Sequence, residues 1–215
     1  MTSAFYMLIC VACFGLDLSW GGGISYSPFT SKIIVSDPGL EGVATSHLDF
    51  GAACVYLDFP YMRTSLSYSS VFGATDESRE TFLSISVLLK YMFSIGTIQM
   101  FPIVGVENDI NLSYTDEDGE DLKPILSEYA LDHLNRSFFK VGFGFGFPLG
   151  KSFCISSIVM FGFKLNSVVD SDIVELFKST YGLFDVVARG SVLELSLLIG
   201  SQPKTVKAIR SQDSD

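Results

Sequence analysis

The chain has 215 residues, of which 48% are hydrophobic, with a mean hydropathy of +0.39 and a net charge of −10. This length suits one domain with a sizeable interior. The acidic balance argues against a nucleic-acid partner, because no basic stripe exists to neutralise phosphates. No run of ~18 consecutive apolar residues occurs, so no membrane-spanning helix is predicted. Abundant phenylalanine (19), glycine (19) and tyrosine (9), with only 18% charged residues, favour an all-β chain with aromatic girdles.

The chain begins with an apolar block at residues 4–15, which has the length of a signal-peptide core rather than of a membrane span. We therefore interpret residues 1–19 as a signal peptide, 20–200 as the folded domain and 201–215 as a polar C-terminal tail. No Lys or Arg precedes the block, which leaves open whether residue 1 is the true start.

Removal of the leader would leave two cysteines, Cys54 and Cys154. The alternation described below places Cys54 on the outer face of its strand and Cys154 on the inner face of a distant strand. Because a disulfide needs closely placed and converging side chains, we expect the two cysteines not to pair.

The most informative segment is 139–147, where every second residue is apolar. These residues are Phe139, Val141, Phe143, Phe145 and Phe147, and they alternate with Lys140 and three glycines. A period of two predicts a strand with two different faces. One face is as apolar as lipid and the other carries little side-chain volume, as a strand that lines a narrow barrel requires.

The same period recurs along the rest of the chain. It is clear at 62–72, 82–93, 99–114, 153–165 and 189–199, and weaker at 21–29 and 47–58. The total is about eight strands, several of them long enough for the ~9–11 residues of a tilted membrane crossing.

The connections between these strands alternate in length. They run long (30–46), short (59–61), medium (73–80), short (94–97), long (115–136), short (148–152) and long (166–187). This pattern predicts an up-and-down antiparallel transmembrane barrel, with long loops at one end and short turns at the other. A soluble sandwich would have no reason to confine its long loops to one end.

Seven charged residues fall on the predicted inner face: Arg63, Lys90, Glu107, Asp109, Lys140, Lys164 and Glu194. Because eight strands enclose little more than their own side chains, we expect these charges to pair and to plug the lumen. A narrow polar path for small solutes is the alternative. The residues expected to face lipid are Phe139, Phe143, Phe145, Phe147, Leu195 and Leu197.

The connection 115–136 is strongly acidic. Its carboxylates include Asp116, Glu117, Asp118, Glu120 and Asp121, against only Lys123 and Arg136. The spacing does not match an EF-hand calcium loop, so we interpret the segment as a solvated acidic loop and predict no metal site.

The two histidines, His47 and His133, lie in or near predicted long loops. Neither belongs to a recognisable catalytic motif, and the sequence has no metal-spaced cysteines or histidines, phosphate-binding loop or dinucleotide fingerprint. We therefore expect no enzymatic activity and no cofactor.

Prolines interrupt the predicted strands, where they remove a ladder hydrogen bond and are tolerated at edges, bulges or ends. Pro28 lies near a strand end, whereas Pro102 lies well inside its strand. Two interpretations of Pro102 stay open: a local irregularity, or a weakened seam through which an apolar ligand leaves sideways into lipid.

The stretches Phe-Gly-Ala-Ala-Cys-Val-Tyr-Leu-Asp (50–58) and Val-Gly-Phe-Gly-Phe-Gly-Phe-Pro-Leu (141–149), together with the loop alternation, resemble the small outer-membrane barrels typified by OmpW, OmpX and the OmpA transmembrane domain. The chain looks most like the OmpW-like proteins of spirochaetes, over roughly residues 20–200. The resemblance implies a monomeric barrel in the bacterial outer membrane, surrounded by its lipid. It carries over no catalytic residue. Such barrels usually end in a strand with a terminal aromatic residue, whereas here a polar tail follows Gly200.

Three functions are compatible with these patterns. The first is a porin-like barrel that transports small or hydrophobic solutes through a narrow channel. The second is a surface adhesin or structural barrel that contacts a host surface ligand through its long loops. The third is a soluble lipocalin-like binding barrel, which would instead bury Phe139, Phe143 and Phe147 inward.

Overall fold

The computed structural model describes residues 18–37, 40–72, 79–115, 135–150, 152–165 and 185–201. Nine strands are formed within these ranges: β1 Ser19–Asp37, β2 Leu40–Asp58, β3 Met62–Phe72, β4 Arg79–Lys90, β5 Phe93–Ile95, β6 Ile98–Thr115, β7 Arg136–Leu149, β8 Phe153–Lys164 and β9 Asp185–Ser201. No helix in the described part of the chain is long and apolar enough to cross a membrane.

The strands close into a barrel. Each long strand pairs antiparallel with the next one along the chain, and β1 pairs with β9. The three-residue β5 pairs only with β6, in the same turn, while β4 itself pairs with β6. The closed wall therefore has eight strands in up-and-down order, and the predicted fold class is confirmed.

The two ends of the barrel differ. The short-turn end carries the connections 59–61, 91–97 and 150–152, together with Ser19 and Ser201. At the opposite, long-loop end the strands are joined through 38–39, 73–78, 116–134 and 166–184, which lie outside the described residues.

One predicted loop is wrong. Residues 30–46 were expected to form a long connection, but β1 and β2 continue in unbroken register up to the pair Asp37 and Leu40. Polar residues such as Thr30 and Thr45 replace the apolar ones at alternate positions, so the period-two alternation of apolar and polar residues is lost. The segment keeps β-branched residues that favour strand pairing, and pairing therefore persists.

Side chains alternate between the outer and inner faces of the wall. On β7, Phe139 and Phe147 point outward and are 40% and 44% exposed. Phe138 and Lys140, at the alternate positions of the same strand, are each 2% exposed. The packing required by the lipocalin-like hypothesis, with Phe139, Phe143 and Phe147 inward, is therefore wrong.

Pro102 is explained by a local interruption of the ladder. Its carbonyl accepts a hydrogen bond from the backbone N–H of Tyr91 at 3.3 Å. The carbonyl and the nitrogen of a strand residue point to the same neighbouring strand, so the nitrogen of Pro102, which has no hydrogen to donate, also lies on the β4–β5 side. The wall breaks there, between Lys90 and Phe93, whereas the register with β7 runs unbroken through the proline. The first of the two interpretations of Pro102 accounts for this geometry.

Cys54 faces the lumen, and its predicted outward direction is wrong. The residue packs against a buried cluster that contains Tyr56, and Cys154 is also buried. The outward neighbours on β2 are the small residues Gly51 and Ala53, so hydrophobicity alone did not reveal the face. Both cysteines are free, as expected, although the reason given for it was partly wrong.

Candidate functional site: the lumen and the outer wall

A buried ion triad lies in the middle of the lumen. Lys140 on β7 donates to Glu107 on β6 and to Oε2 of Glu194 on β9, the latter at 2.5 Å. Ser196 donates to the other oxygen of Glu194 at 2.7 Å. One ammonium thus binds two carboxylates from two strands, and the triad carries one net negative charge.

A second triad lies towards the short-turn end. Arg63 donates through Nε and Nη2 to both oxygens of Asp58, at 2.9 and 2.8 Å, in the bidentate geometry that suits a carboxylate. The Nζ of Lys90 lies 2.7 Å from Asp58 Oδ2. Sequence reasoning missed Asp58. It occupies the same inward face as Tyr56, two residues away, so a correct assignment of the faces of β2 would have found it.

Arg136 fills the lumen towards the long-loop end, where it lies among four phenylalanine rings. Its guanidinium carbon lies 3.7 Å from the ring centre of Phe82 and 4.5 Å from that of Phe50, and two further rings, Phe29 and Phe138, lie within 6 Å. Its Nη2 is 3.2 Å from Asp109 Oδ2. The prediction that Arg136 belongs to the acidic loop is wrong, because Arg136 is the buried first residue of β7.

The last of the seven charged residues, Lys164, is half-buried at the end of β8, beside Gly190. Among the inward side chains that the structure describes, the charges balance. The acids are Asp58, Glu80, Glu107, Asp109 and Glu194, and the bases are Arg63, Lys90, Arg136, Lys140 and Lys164. Buried charges of both signs in one small lumen offset the cost of taking each other out of water.

Two apolar clusters also fill the lumen, beside the charges that were expected to plug it. One consists of Tyr56, Leu88, Phe101, Ile103, Ile158, Met160 and Leu198, and the other of Phe29, Phe50, Phe82, Phe138 and Val192. The inward glycines lie beside these large groups. A Cβ at Gly144 would meet the Phe101 ring. One at Gly142 would first collide with the backbone oxygen of Val159, at 2.1 Å, and would also approach the Met160 side chain at 2.7 Å. The glycines therefore leave room for large inward side chains at the directly paired positions of the neighbouring strands.

Two small cavities remain beside the middle triad. Their volumes are about 40 and 30 Å³, and both are lined by Ser25, Ser67, Glu107 and Glu194. Each has room for one or a few waters, since a water needs roughly 10–15 Å³. Residues of the two apolar clusters line them as well, Phe138 in the first cavity and Met160 in the second.

Several residues singled out by sequence play no part in the lumen. His47 is not a loop residue: it lies on the outer face of β2, with Nδ1 3.0 Å from the Thr30 hydroxyl. His133 and the acidic residues Asp116, Glu117, Asp118, Glu120 and Asp121 lie outside the described residues. Within the described ranges, no group of three or more His, Cys, Asp or Glu could hold a metal ion.

The fold and the two faces define a class: a closed, eight-stranded antiparallel barrel that is apolar outside and filled with polar and apolar side chains inside. No family model and no curated protein matches the chain.

Three solved structures that are similar to the chain are the following. Neisserial surface protein A has a TM-score of 0.42 and 11% identity, covering 84% of this chain and 96% of its own. OprG, an outer membrane protein from Pseudomonas aeruginosa, has a TM-score of 0.41 and 13% identity, covering 86% and 95%. Ail, the attachment invasion locus protein of Yersinia pestis, has a TM-score of 0.35 and 14% identity, covering 85% and 97%. The predicted spirochaetal origin has no support in these comparisons.

Proposed function

We propose that the chain is a bacterial outer-membrane barrel whose own side chains close its lumen, and that it acts at the cell surface through its long-loop end. In this proposal the apolar outer wall contacts lipid, and the barrel works as a monomeric anchor for a binding or structural surface. The observation that carries the proposal is the combination of an exposed apolar wall with a filled, charged interior.

The outer wall has the dimensions of a membrane. From Leu18, just before β1, to Pro28 the extended chain runs roughly 33 Å at about 3.3 Å per residue. This length corresponds to about 25 Å along the membrane normal at a tilt of about 40°. Apolar bands of transmembrane barrels are about 25 Å tall. Large apolar residues are exposed on all eight strands of the wall, Trp20, Val55, Leu66, Val87, Val104, Phe145, Phe161 and Leu197 among them. A continuous surface of this kind marks a membrane or partner contact.

The filled lumen supports a closed barrel rather than an open pore. Going from the short-turn end, a solute would meet the Asp58 triad, the cluster around Phe101, the Lys140 triad and the rings around Arg136. Removing a partner from a buried ion pair costs about 3–5 kcal/mol. In this proposal a solute has no low-energy route through the lumen, and the barrel acts through its outer surfaces.

The acidic connection supports a role for the long-loop end. Residues 116–134 join β6 and β7 at that end and contain Asp116, Glu117 and Asp118. Carboxylates there would attract a basic partner surface and raise the rate of encounter. A host surface ligand with exposed lysines or arginines fits this charge.

A narrow channel is the second candidate, favoured by the two serine-lined cavities that Glu107 and Glu194 of the middle triad also line. Conductance of the refolded full chain in planar lipid bilayers separates the two. We expect no unitary current steps from the closed barrel, and steps from a Lys140→Ala variant if the triad is the obstruction. Unitary steps from the unaltered chain would favour the channel.

The surface role has its own test. Binding of refolded chain in nanodiscs to host cells is compared with that of a variant carrying Asp116→Asn, Glu117→Gln and Asp118→Asn. We expect the variant to bind several-fold more weakly, and equal binding would contradict a role for the acidic connection.

A further inference from the structure

We propose that the outer wall along β9 and β1 binds one membrane lipid with a phosphate-bearing head group. Its acyl chain lies in a groove over the seam between the two strands, and its phosphate is held by Lys32 and Arg189. The inference rests on the proposed membrane location and adds a specific lipid site to it.

The groove lies on the outer side of the wall. It has a volume of about 280 Å³ and is bounded by the exposed side chains of Ile24 and Tyr26 on β1 and of Leu195 and Leu197 on β9. Ser157 of β8 also lines it, as a short side chain on an outer face that otherwise carries Phe153, Val159 and Phe161. One water needs roughly 10–15 Å³ on the same measure, so this open groove has room for much more than one water and suits a length of hydrocarbon chain.

A break in the wall lies directly above the groove. The pairing of β1 with β9 runs from Gly21 to Tyr26 and resumes at Phe29, so that Ser27 and Pro28 have no partner on β9. Proline cannot donate to the ladder. The two strands are consequently less tightly joined where the groove ends.

Two exposed cations lie side by side beyond this break. Lys32 and Arg189 are directly opposite each other in the β1–β9 pairing, and both point outward, because their neighbours Ser31 and Gly190 face the lumen. Like charges directly opposite on a sheet destabilise it. Neither has an ion-pair partner among the described residues, whereas the lumen cations Arg63, Lys90, Arg136 and Lys140 are paired. An anion that bridges Lys32 and Arg189 would relieve their repulsion.

The spacing of groove and cations fits a lipid. From Tyr26 to Lys32 the strand rises about 20 Å, or about 15 Å along the membrane normal at the usual tilt. Thr30 and Ser191, paired just below the cations, supply hydroxyls at the level where the apolar wall ends. A phosphate at the cations therefore places an acyl chain along the groove. A second copy of the chain is a poorer occupant, because a symmetric contact would bring the same cations together.

The test measures lipid retained by the refolded full chain in neutral detergent, by native mass spectrometry. The probes are phosphatidylglycerol, diacylglycerol without phosphate, and glycerol 3-phosphate without acyl chains. We expect the chain to retain one phosphatidylglycerol and to bind the other two at least tenfold more weakly.

Variants separate the two parts of the site. Lys32→Gln with Arg189→Gln should weaken phosphatidylglycerol binding about tenfold, since each cation attracts an anionic lipid, and Ser157→Leu should weaken it by filling the groove. The matched control is Arg79→Gln, which removes an exposed cation from the outer face of β4. Equal binding by the double variant, an equal loss in the control, or tight binding of glycerol 3-phosphate would each overturn the inference.

Each variant is first checked for heat-modifiable migration in detergent, which reports a folded barrel. A chain that folds and inserts into vesicles but retains no lipid contradicts this inference alone. A chain that folds without inserting contradicts the proposed function.

Discussion

The ammonium of Lys140 lies 2.5 Å from Oε2 of Glu194, and this bond joins β7 to β9 across the intervening β8. No backbone ladder links these two strands. The lumen therefore contains its own bonding network, which ties together parts of the wall that the sheet leaves unconnected. Its loss should loosen the whole barrel rather than one seam.

Replacing Lys140 with methionine should destabilise the barrel by about 3–5 kcal/mol, because Glu107 and Glu194 would stay buried without a cation. Urea unfolding of the refolded chain in detergent micelles, followed by the fluorescence of Trp20, measures the change. Arg79→Met is the control, because Arg79 is an exposed cation on the outer face of β4. Equal unfolding midpoints for the two variants would refute a stabilising role for the triad.

Arg136 and Asp109 should be strongly coupled. Either Arg136→Leu or Asp109→Leu alone leaves one buried charge, at a cost of about 3–5 kcal/mol, whereas removal of both partners is often close to neutral. We expect the double variant to be more stable than at least one of the single variants in the same unfolding assay. Additive losses would show that the two charges act independently.

The space around Gly144 admits no larger side chain. An added methyl group would collide with the buried ring of Phe101, so Gly144→Ala should destabilise the barrel by about 1–3 kcal/mol. Adding Phe101→Leu should recover part of this loss, because the smaller side chain vacates the space. Gly146→Ala is the graded control, since its nearest neighbours would lie at 3.2–3.3 Å. A tolerated Gly144→Ala would contradict the tight packing of the lumen.

An arginine on the outer wall should destabilise the barrel more, the nearer it lies to the middle of the membrane. Val104→Arg, at the seventh residue of β6, should cost about 2–4 kcal/mol of folding free energy in lipid vesicles. Leu149→Arg, at the short-turn end of β7, should cost about 0–1 kcal/mol. The two positions are similarly exposed, at 38% and 48%. Similar costs at both positions would argue that the wall contacts water.

Strands whose two faces differ sharply in polarity were predictable. On β7, phenylalanines alternate with glycines, and on β4 aliphatic residues alternate with serines, so their faces and approximate limits followed from a period of two. On β2 the outer positions Gly51 and Ala53 are small, and the inner ones include Phe50 and Tyr56. Hydrophobicity there points the wrong way, which misplaced Cys54 and hid Asp58.

The contents of the lumen could be predicted only in part. Lumen charges on regular strands, such as Lys140 and Glu107, were visible as polar residues in an apolar period. Arg136 was not, because it follows a polar segment and its contacts with Phe82 and Asp109 depend on strands distant in sequence. Pairing of this kind is set by the closure and stagger of the barrel, which local pattern does not contain.

The central claim is that lipid covers the outer wall, and neighbouring residues on β6 test it most directly. Val104 and Ile103 are both aliphatic and adjacent, yet their exposed fractions are 38% and 2%. The unmodified chain is refolded into vesicles whose acyl chains carry a photoactivated diazirine, and the labelled residues are mapped by mass spectrometry. The account predicts labels on Val104 and Val106 and none on Ile103. Labels on Ile103 with none on the two valines, or no labelling of β6 at all, would contradict it.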